Sequence, residues 1–231
     1  TGIKYKGKEA TGKIGTFSQK CLVDQELVVP IPSEYYSEEA SIVGCAVLTG
    51  AGSVLHTASV RPEDSVAVIG VGGVGLSAIK MASLLQAYPI VAVDISDDKL
   101  DFARKWGATH TINSTKTDPV EEILKISKGG VDYAFDAVGT KKTHEIILPM
   151  VKGGGPGAYN NGGTAILIGW PHDTMEMVPR DFLFFQRQYK GSHGASDPNK
   201  DFKMYLRLDS EGKFPLKELV TKKYDFMDIN K

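Results

Sequence analysis

Cysteine is almost absent from this chain. Only Cys21 and Cys45 carry a thiol among 231 residues, and no C-x-x-C pair exists. That excludes a disulfide framework and a four-cysteine zinc module, and makes a reducing cytoplasm the expected setting. An excess of charge of one sign is also lacking: 27 basic and 28 acidic residues leave a net charge of −1. So balanced a chain offers no electrostatic footprint, so neither nucleic acid nor a membrane is expected as a partner. No uninterrupted apolar run reaches transmembrane length, no signal peptide is visible, and there is no internal repeat. What remains is an ordinary globular composition. Hydrophobic residues make up 42% and charged residues 24%, enough for one good core, or one domain plus part of another.

Residues 65–94 organise the rest. They read SVAVIGVGGVGLSAIKMASLLQAYPIVAVD. Residues 66–69 are a short β-branched run, as a buried strand requires. Gly70, Gly72 and Gly75 follow as G-x-G-x-x-G. Val74, Ala78, Ile79, Ala82 and Leu85 then lie near one face of a helix. A second apolar run, 90–93, ends on Asp94. In such a β-α-β unit Gly70 permits the tight turn, Gly72 lets the backbone approach a pyrophosphate, and Gly75 lets the helix pack on the strand. The helix N-terminus offers free N–H groups to the pyrophosphate. Asp94 can accept hydrogen bonds from both adenosine ribose hydroxyls and repels a 2′-phosphate, which predicts NAD over NADP. A lone G-x-G-x-x-G is weak evidence, but here strand, helix and acid agree. The plain alternative is a glycine-rich turn with Asp94 merely capping Ser96-Asp97-Asp98.

The flanking chain reads as follows. Residues 1–18 are polar and Gly-rich; 17–29 hold two β-like runs, KCLV and ELVV; 30–36 form a Pro-broken linker. Ser37 with Glu38 and Glu39 opens a helical stretch to about Ala58, with a break expected near Gly50 and Gly52. Ser96 caps a helix that Gly107 ends. Residues 109–112 are the third strand. Asp118-Pro119 is a cap with proline at the first helical position, and Gly129-Gly130 end that helix. Residues 131–135 are the fourth strand and 140–151 a helix. Residues 152–163 are a Gly- and Asn-rich loop. It lacks G-K-[ST] and a following helix, so it reads as a mobile surface loop rather than a phosphate loop. Strands follow at 165–168 and 187–191, a helix at 197–208 and a short helix at 216–219. The alternation predicts an α/β fold with a doubly wound, mostly parallel sheet. Ligands bind such a sheet at the carboxyl ends of its strands. Gly70 to Gly75, Asp94, Ala137-Val138 and Gly169-Trp170 all fall there.

These stretches resemble the cofactor-binding half of the zinc-type, medium-chain alcohol dehydrogenases. Gly15-Thr-Phe-Ser-Gln19 is similar to the end of that family's catalytic domain, and Glu39-Ala-Ser-Ile-Val-Gly-Cys45 to its zinc-cysteine segment. Gly107-Ala-Thr, Phe135-Asp-Ala-Val-Gly139, Ile166-Leu-Ile-Gly169, Gly191-Ser-His-Gly and Leu219-Val-Thr fit its second half. The resemblance implies a Rossmann domain over 37–231, incomplete at its C-terminus, preceded over 1–36 by a remnant of a β-rich catalytic domain and linker. It implies that Gly70, Val71, Gly72, Gly73, Val74 and Gly75 hold the pyrophosphate of NAD and Asp94 the adenosine ribose. Ile95 would pack on adenine, with Lys99 near the same ribose. Ala137 and Val138 would line the cleft, and Ile168, Gly169 and Trp170 would contact the nicotinamide side. Thr49 would be the catalytic residue beside the nicotinamide ring, and Cys45 one zinc ligand of three in the intact enzyme.

Read without the family, Cys45 is a buried, inert side chain. His56, His110, His144, His172 and His193 show no ligand-like spacing to it. The other zinc ligands, the four-cysteine loop and the proton relay of the family have no counterpart here, and the chain opens on Thr1. It therefore reads as an internal segment that binds NAD and does not turn over an alcohol, since one thiolate holds zinc weakly. The expected parent is a zinc-dependent NAD alcohol dehydrogenase acting on a small-molecule alcohol, aldehyde or ketone. The rivals are a zinc-free quinone or enoyl reductase, usually with NADPH, and a non-catalytic NAD-binding module. Residues 165–169 and 181–185, with FLFF, suggest an edge for a homo-oligomer. Alternatively Phe182, Leu183 and Phe185 pack under the sheet.

Overall fold

The computed structural model describes residues 4–5, 8–9, 19–35, 38–156, 161–171, 173–194 and 197–228. Lys4–Tyr5 (β1) and Lys8–Glu9 (β2) pair antiparallel. The Ser37 cap and His172 lie outside the described residues, as do residues 157–160 of the Gly- and Asn-rich loop.

The six expected strand segments become six parallel strands. They are Val66–Ile69 (β3), Ile90–Asp94 (β4), His110–Asn113 (β5), Tyr133–Asp136 (β6), Thr164–Leu167 (β7) and Gln188–Gly191 (β8), in the order β5-β4-β3-β6-β7-β8. Every neighbouring pair is parallel. The chain leaves β3 first to one side and later to the other, so the switch point lies between β3 and β6. Side chains alternate across the sheet. Val66, Val68, Ile90, Ala92, Phe135 and Ile166 join one core, while Ala67, Ile69, Val91, Val93, Ala134 and Ala165 join the other.

Helices cover both faces. Gly73–Leu84 (α2) and Asp97–Lys105 (α3) pack on the first core; Pro119–Ile126 (α4) and Lys141–Met150 (α5) pack on the second. Their starts are capped as side-chain chemistry dictates. Ser96 Oγ accepts from Lys99 N–H, Asp118 Oδ1 from the N–H groups of Val120 and Glu121, and Thr140 exchanges bonds with Thr143. Pro179–Leu183 (α6) is a short outer turn, and Asp197 caps Pro198–Ser210 (α7).

Two expectations fail. Neither KCLV nor ELVV is a strand; Gln25–Leu27 is a single 3₁₀ turn that Asp24 caps. Leu22 and Leu27 are exposed, so no sheet offers these segments a pleated surface to fit. Nor does the helix of residues 39–58 break at Gly50 and Gly52. Leu48–Gly52 (α1) is regular α-helix, and the winding widens to π on either side, over Val43–Val47 and Ser53–Ala58. The glycines allow contact instead. A Cβ on Gly50 would lie 2.0 Å from Val74 O, and one on Gly52 would lie 2.2 Å from Gly194 O. Glu39–Ala58 is also long and apolar enough to cross a membrane by length and composition. Its Val43, Val47, Ala51 and Val54 are instead part of the first core.

Candidate functional site

The glycine turn sits at the carboxyl end of β3, at the switch point. Gly70 has φ +87°, and its N–H donates to Val93 O at 2.8 Å, so the turn closes onto β4. A Cβ on Gly75 would collide with Gly70 O at 1.8 Å, which is why helix and strand can meet only at glycine. Gly72 differs: a Cβ there would meet no protein atom within 4 Å. Its open side is the space a ligand backbone needs. Helical bonding begins with Leu76 N–H donating to Gly72 O at 2.9 Å. The N–H groups of Gly73, Val74 and Gly75 therefore have no helical acceptor.

Asp94 ends β4 beside this turn, partly buried. Its Oδ2 accepts from Val71 N–H at 2.9 Å, and its Oδ1 from Ile95 and Ser96 N–H at 2.8 and 3.1 Å. So the carboxylate caps its own turn, as the plain alternative foresaw. It also ties the glycine turn to β4, which that alternative did not foresee.

A cleft of about 470 Å³ opens here. It is lined by Gly70, Gly72, Asp94, Ile95, Lys99, Ala137 and Val138, together with Ser114, Pro119, Thr140, Lys142 and Thr143. A second hollow of about 390 Å³ is bounded by Val71, Gly72, Gly73, Lys99 and Leu219. Seven of the residues expected around a dinucleotide thus share one cleft, and two more adjoin it. Lys99 and Lys142 bring positive charge, and neither forms a salt bridge among the described residues. Apolar Ile95 is 70% exposed and lines the cleft. The cleft therefore fits a nucleotide with a diphosphate.

Residues 73–211 match the family model described as "Zinc-binding dehydrogenase". The chain belongs to the zinc-binding dehydrogenase family. Relatives of this chain include an S-(hydroxymethyl)glutathione dehydrogenase of Escherichia coli (strain SMS-3-5 / SECEC). It is 34% identical over 197 residues, covering 83% of this chain and 52% of the relative. Its counterpart from Shigella sonnei (strain Ss046) shows the same identity and coverage. Among solved structures, an alcohol dehydrogenase zinc-binding domain protein from Burkholderia ambifaria superposes with a TM-score of 0.80 at 32% identity. That match spans 87% of this chain and 53% of the other. Benzyl alcohol dehydrogenase from Acinetobacter calcoaceticus follows at 0.77 and 32%, spanning 87% and 54%. The chain spans about half the length of the curated relatives it matches.

The remaining expected residues lie outside the cleft. Val74 and Gly75 are on α2, where their backbone meets Gly50 and Gly70. Gly169 packs on Gly139: a Cβ there would lie 2.3 Å from Gly139 N. Trp170 is 77% exposed, and Ile168 packs partly buried against the first core. Thr49 is half-buried on α1 beside Gly194, whose added Cβ would lie 2.4 Å from Thr49 Cα. Cys45 is exposed, not buried as its apolar segment implied, because it sits on the outer side of a helix whose buried side carries Val43 and Val47. Among the described residues no group of three His, Cys, Asp or Glu side chains could hold a metal ion, so these residues do not by themselves make a zinc site.

Asp136 and His144 were given no functional role in the sequence reading. Asp136 is fully buried at the end of β6, with Oδ2 2.8 Å from Nδ1 of His144, itself 2% exposed. Burial pushes the phenol of nearby Tyr189 well above its ordinary range, and the Asp136 charge adds to that. The available signal was position: Asp136 ends its strand as Asp94 does.

Proposed function

We propose that this chain is the nucleotide-binding part of a zinc-dependent alcohol dehydrogenase that uses NAD and moves hydride between a small-molecule alcohol and the cofactor. The observation that carries the reading is the Gly70–Gly75 turn at the switch point, with the open side of Gly72 and the Asp94 carboxylate around one cleft. Bound NAD supplies the carbon that takes or gives hydride. The chain's part is to bind and orient it. Leading N–H groups of α2 meet the pyrophosphate, Asp94 the adenosine ribose with Lys99 near it, and Ile95 the adenine, while Ala137 and Val138 line the cleft. Asp94 gives three of its about four acceptor positions to N–H groups, which leaves one for the ribose, and a carboxylate at this place disfavours a 2′-phosphate. Thr49 stands at the nicotinamide end, and Cys45 contributes one zinc ligand in the intact enzyme. The relatives' names support the substrate class, a hydroxyl-bearing small molecule.

We also propose a homo-oligomer. Leu183 and Phe184 are 74% and 66% exposed on the segment that leads into β8, the last strand of the sheet, while Phe182 packs into the second core. The FLFF run is thus divided: Phe182 and Phe185, the latter half-buried against Arg180 and Arg187, serve the fold, while Leu183 and Phe184 lie open for a partner.

The test is a fluorescence titration of this chain with NADH and NADPH, beside Asp94→Ala. NADH is expected to bind at least about tenfold more tightly than NADPH, and the variant to narrow that gap. Preference for NADPH would move weight to a zinc-free reductase. No binding of either at millimolar cofactor would remove the reading.

A further inference from the structure

Asp136 touches both turns that leave the carboxyl ends of β6 and β7. Its backbone carbonyl accepts from Ile168 and Gly169 N–H at 3.0 and 2.8 Å. Its Oδ1 accepts from Val138 and Gly139 N–H at 2.8 and 3.1 Å. The two turns also lock on each other. Gly139 has φ +87°, and a Cβ there would lie 2.4 Å from Trp170 O. Behind the carboxylate stands His144, on the α5 helix that Gly139 and Thr140 lead into. The contact of Oδ2 with Nδ1 is close, but it is out of line for a hydrogen bond. Neither atom has another hydrogen-bond partner.

Burying a carboxylate is costly, so its oxygens must be held by bonds that offset the loss of water. A carboxylate holds two backbone N–H groups more strongly than a neutral oxygen does. The polar ring at Oδ2 offsets part of its desolvation. The turn so fixed is the one that brings Val138, 42% exposed, to the cleft that Asp94 and Ile95 line.

We infer that Asp136, backed by His144, is the positioning residue of the cofactor cleft: it sets the Ala137–Gly139 turn and, through it, where Val138 meets the bound nucleotide. The inference rests on the dinucleotide reading given above. Neither side chain lines the 470 Å³ cleft, so both act through the turn. Preorganising that turn reduces the ordering that the ligand must otherwise impose.

The experiment compares this chain with Asp136→Asn, Asp136→Ala and His144→Leu. It follows amide hydrogen exchange at Val138 and Gly139, NADH affinity, and the denaturation midpoint. Asparagine keeps an acceptor oxygen for the two N–H groups and loses the charge; alanine loses both. Alanine is expected to speed exchange at Val138 and Gly139 about tenfold or more relative to Gly70, and to weaken NADH about tenfold. Asparagine is expected to stay within about threefold of the parent in both readouts, although its midpoint falls as well. Unchanged exchange in the alanine variant overturns the inference. So does an asparagine variant as impaired as alanine, because affinity would then follow stability. Should alanine not fold, His144→Leu decides. It must still speed exchange at Val138 and Gly139, and unchanged exchange there refutes the role. A parent that binds no NADH overturns the cofactor reading, while the exchange data still decide whether Asp136 anchors the turn.

Discussion

Gly72 and Gly75 stand three positions apart in one motif and meet opposite surroundings. At Gly75 any side chain strikes Gly70 O at 1.8 Å, and both atoms belong to backbone that cannot step aside. Gly75→Ala is therefore expected to destabilise the fold by about 3 kcal/mol or more, read as a lower denaturant midpoint. At Gly72 a methyl group meets nothing, and its φ of −77° suits alanine. Gly72→Ala is expected to leave the midpoint within about 1 kcal/mol of the parent while weakening NADH about tenfold. Equal loss of stability in both would show that the open side of Gly72 is no ligand space. These roles were legible in the spacing, because a motif that constrains backbone leaves its mark as glycine. The inward bonds of Asp94 to Val71, and of Asp136 to Val138, were not. A side chain's choice of backbone partner depends on how two turns approach, and no local pattern encodes that. Cys45 failed for a related reason: an apolar neighbourhood in sequence does not say which side of the helix the thiol takes.

Helix starts were the most readable elements, since Ser96 and Asp118 each accept from N–H groups within the next three residues. The Glu39–Ala58 helix was the least readable. Its glycines look like breaks, yet they are contact points, and the neighbours that require them are Val74 and Gly194. The same helix is tied to α7 by His56, whose Nε2 lies 3.0 and 3.1 Å from the carboxylate oxygens of Asp201. Asp201 is 4% exposed, so removing its partner strands a polar group away from water. His56→Ala is expected to cost about 1–3 kcal/mol, above the range of an exposed ion pair. The double variant His56→Ala/Asp201→Ala should lose less than the sum of the two single losses, as denaturation of all four proteins would show. Strict additivity would mean that the pair does not hold the two elements together.

At the scale of the molecule, the order of strands and helices was legible because α/β alternation leaves few topologies open. Long-range closures were not. Trp106, buried under α3, donates through Nε1 to Glu218 Oε2 at 2.9 Å, and Ser65 bonds Asp132 across 67 positions. The second closure gives the fold an acid limit. Asp132 Oδ2 accepts from the Ser65 N–H at 2.8 Å and hydroxyl at 2.6 Å, and Lys152 pairs with Oδ1, joining the starts of β3 and β6. Burial alone would raise this carboxyl. The Lys152 ammonium and the two Ser65 bonds outweigh it and hold the carboxyl below the ordinary range. A folded value below the unfolded one, about 3.9, means that the contribution is fully present above that pH. It fades as pH falls through the lower folded value, because the unfolded chain takes up the proton first. Asp132→Asn should therefore lower the thermal midpoint at pH 7 and flatten the decline of stability below about pH 4, where the parent loses what the variant never had. Unfolding curves of both proteins from neutral to acid pH would show the two lines converging. Parallel lines would place the acid sensitivity of the sheet elsewhere.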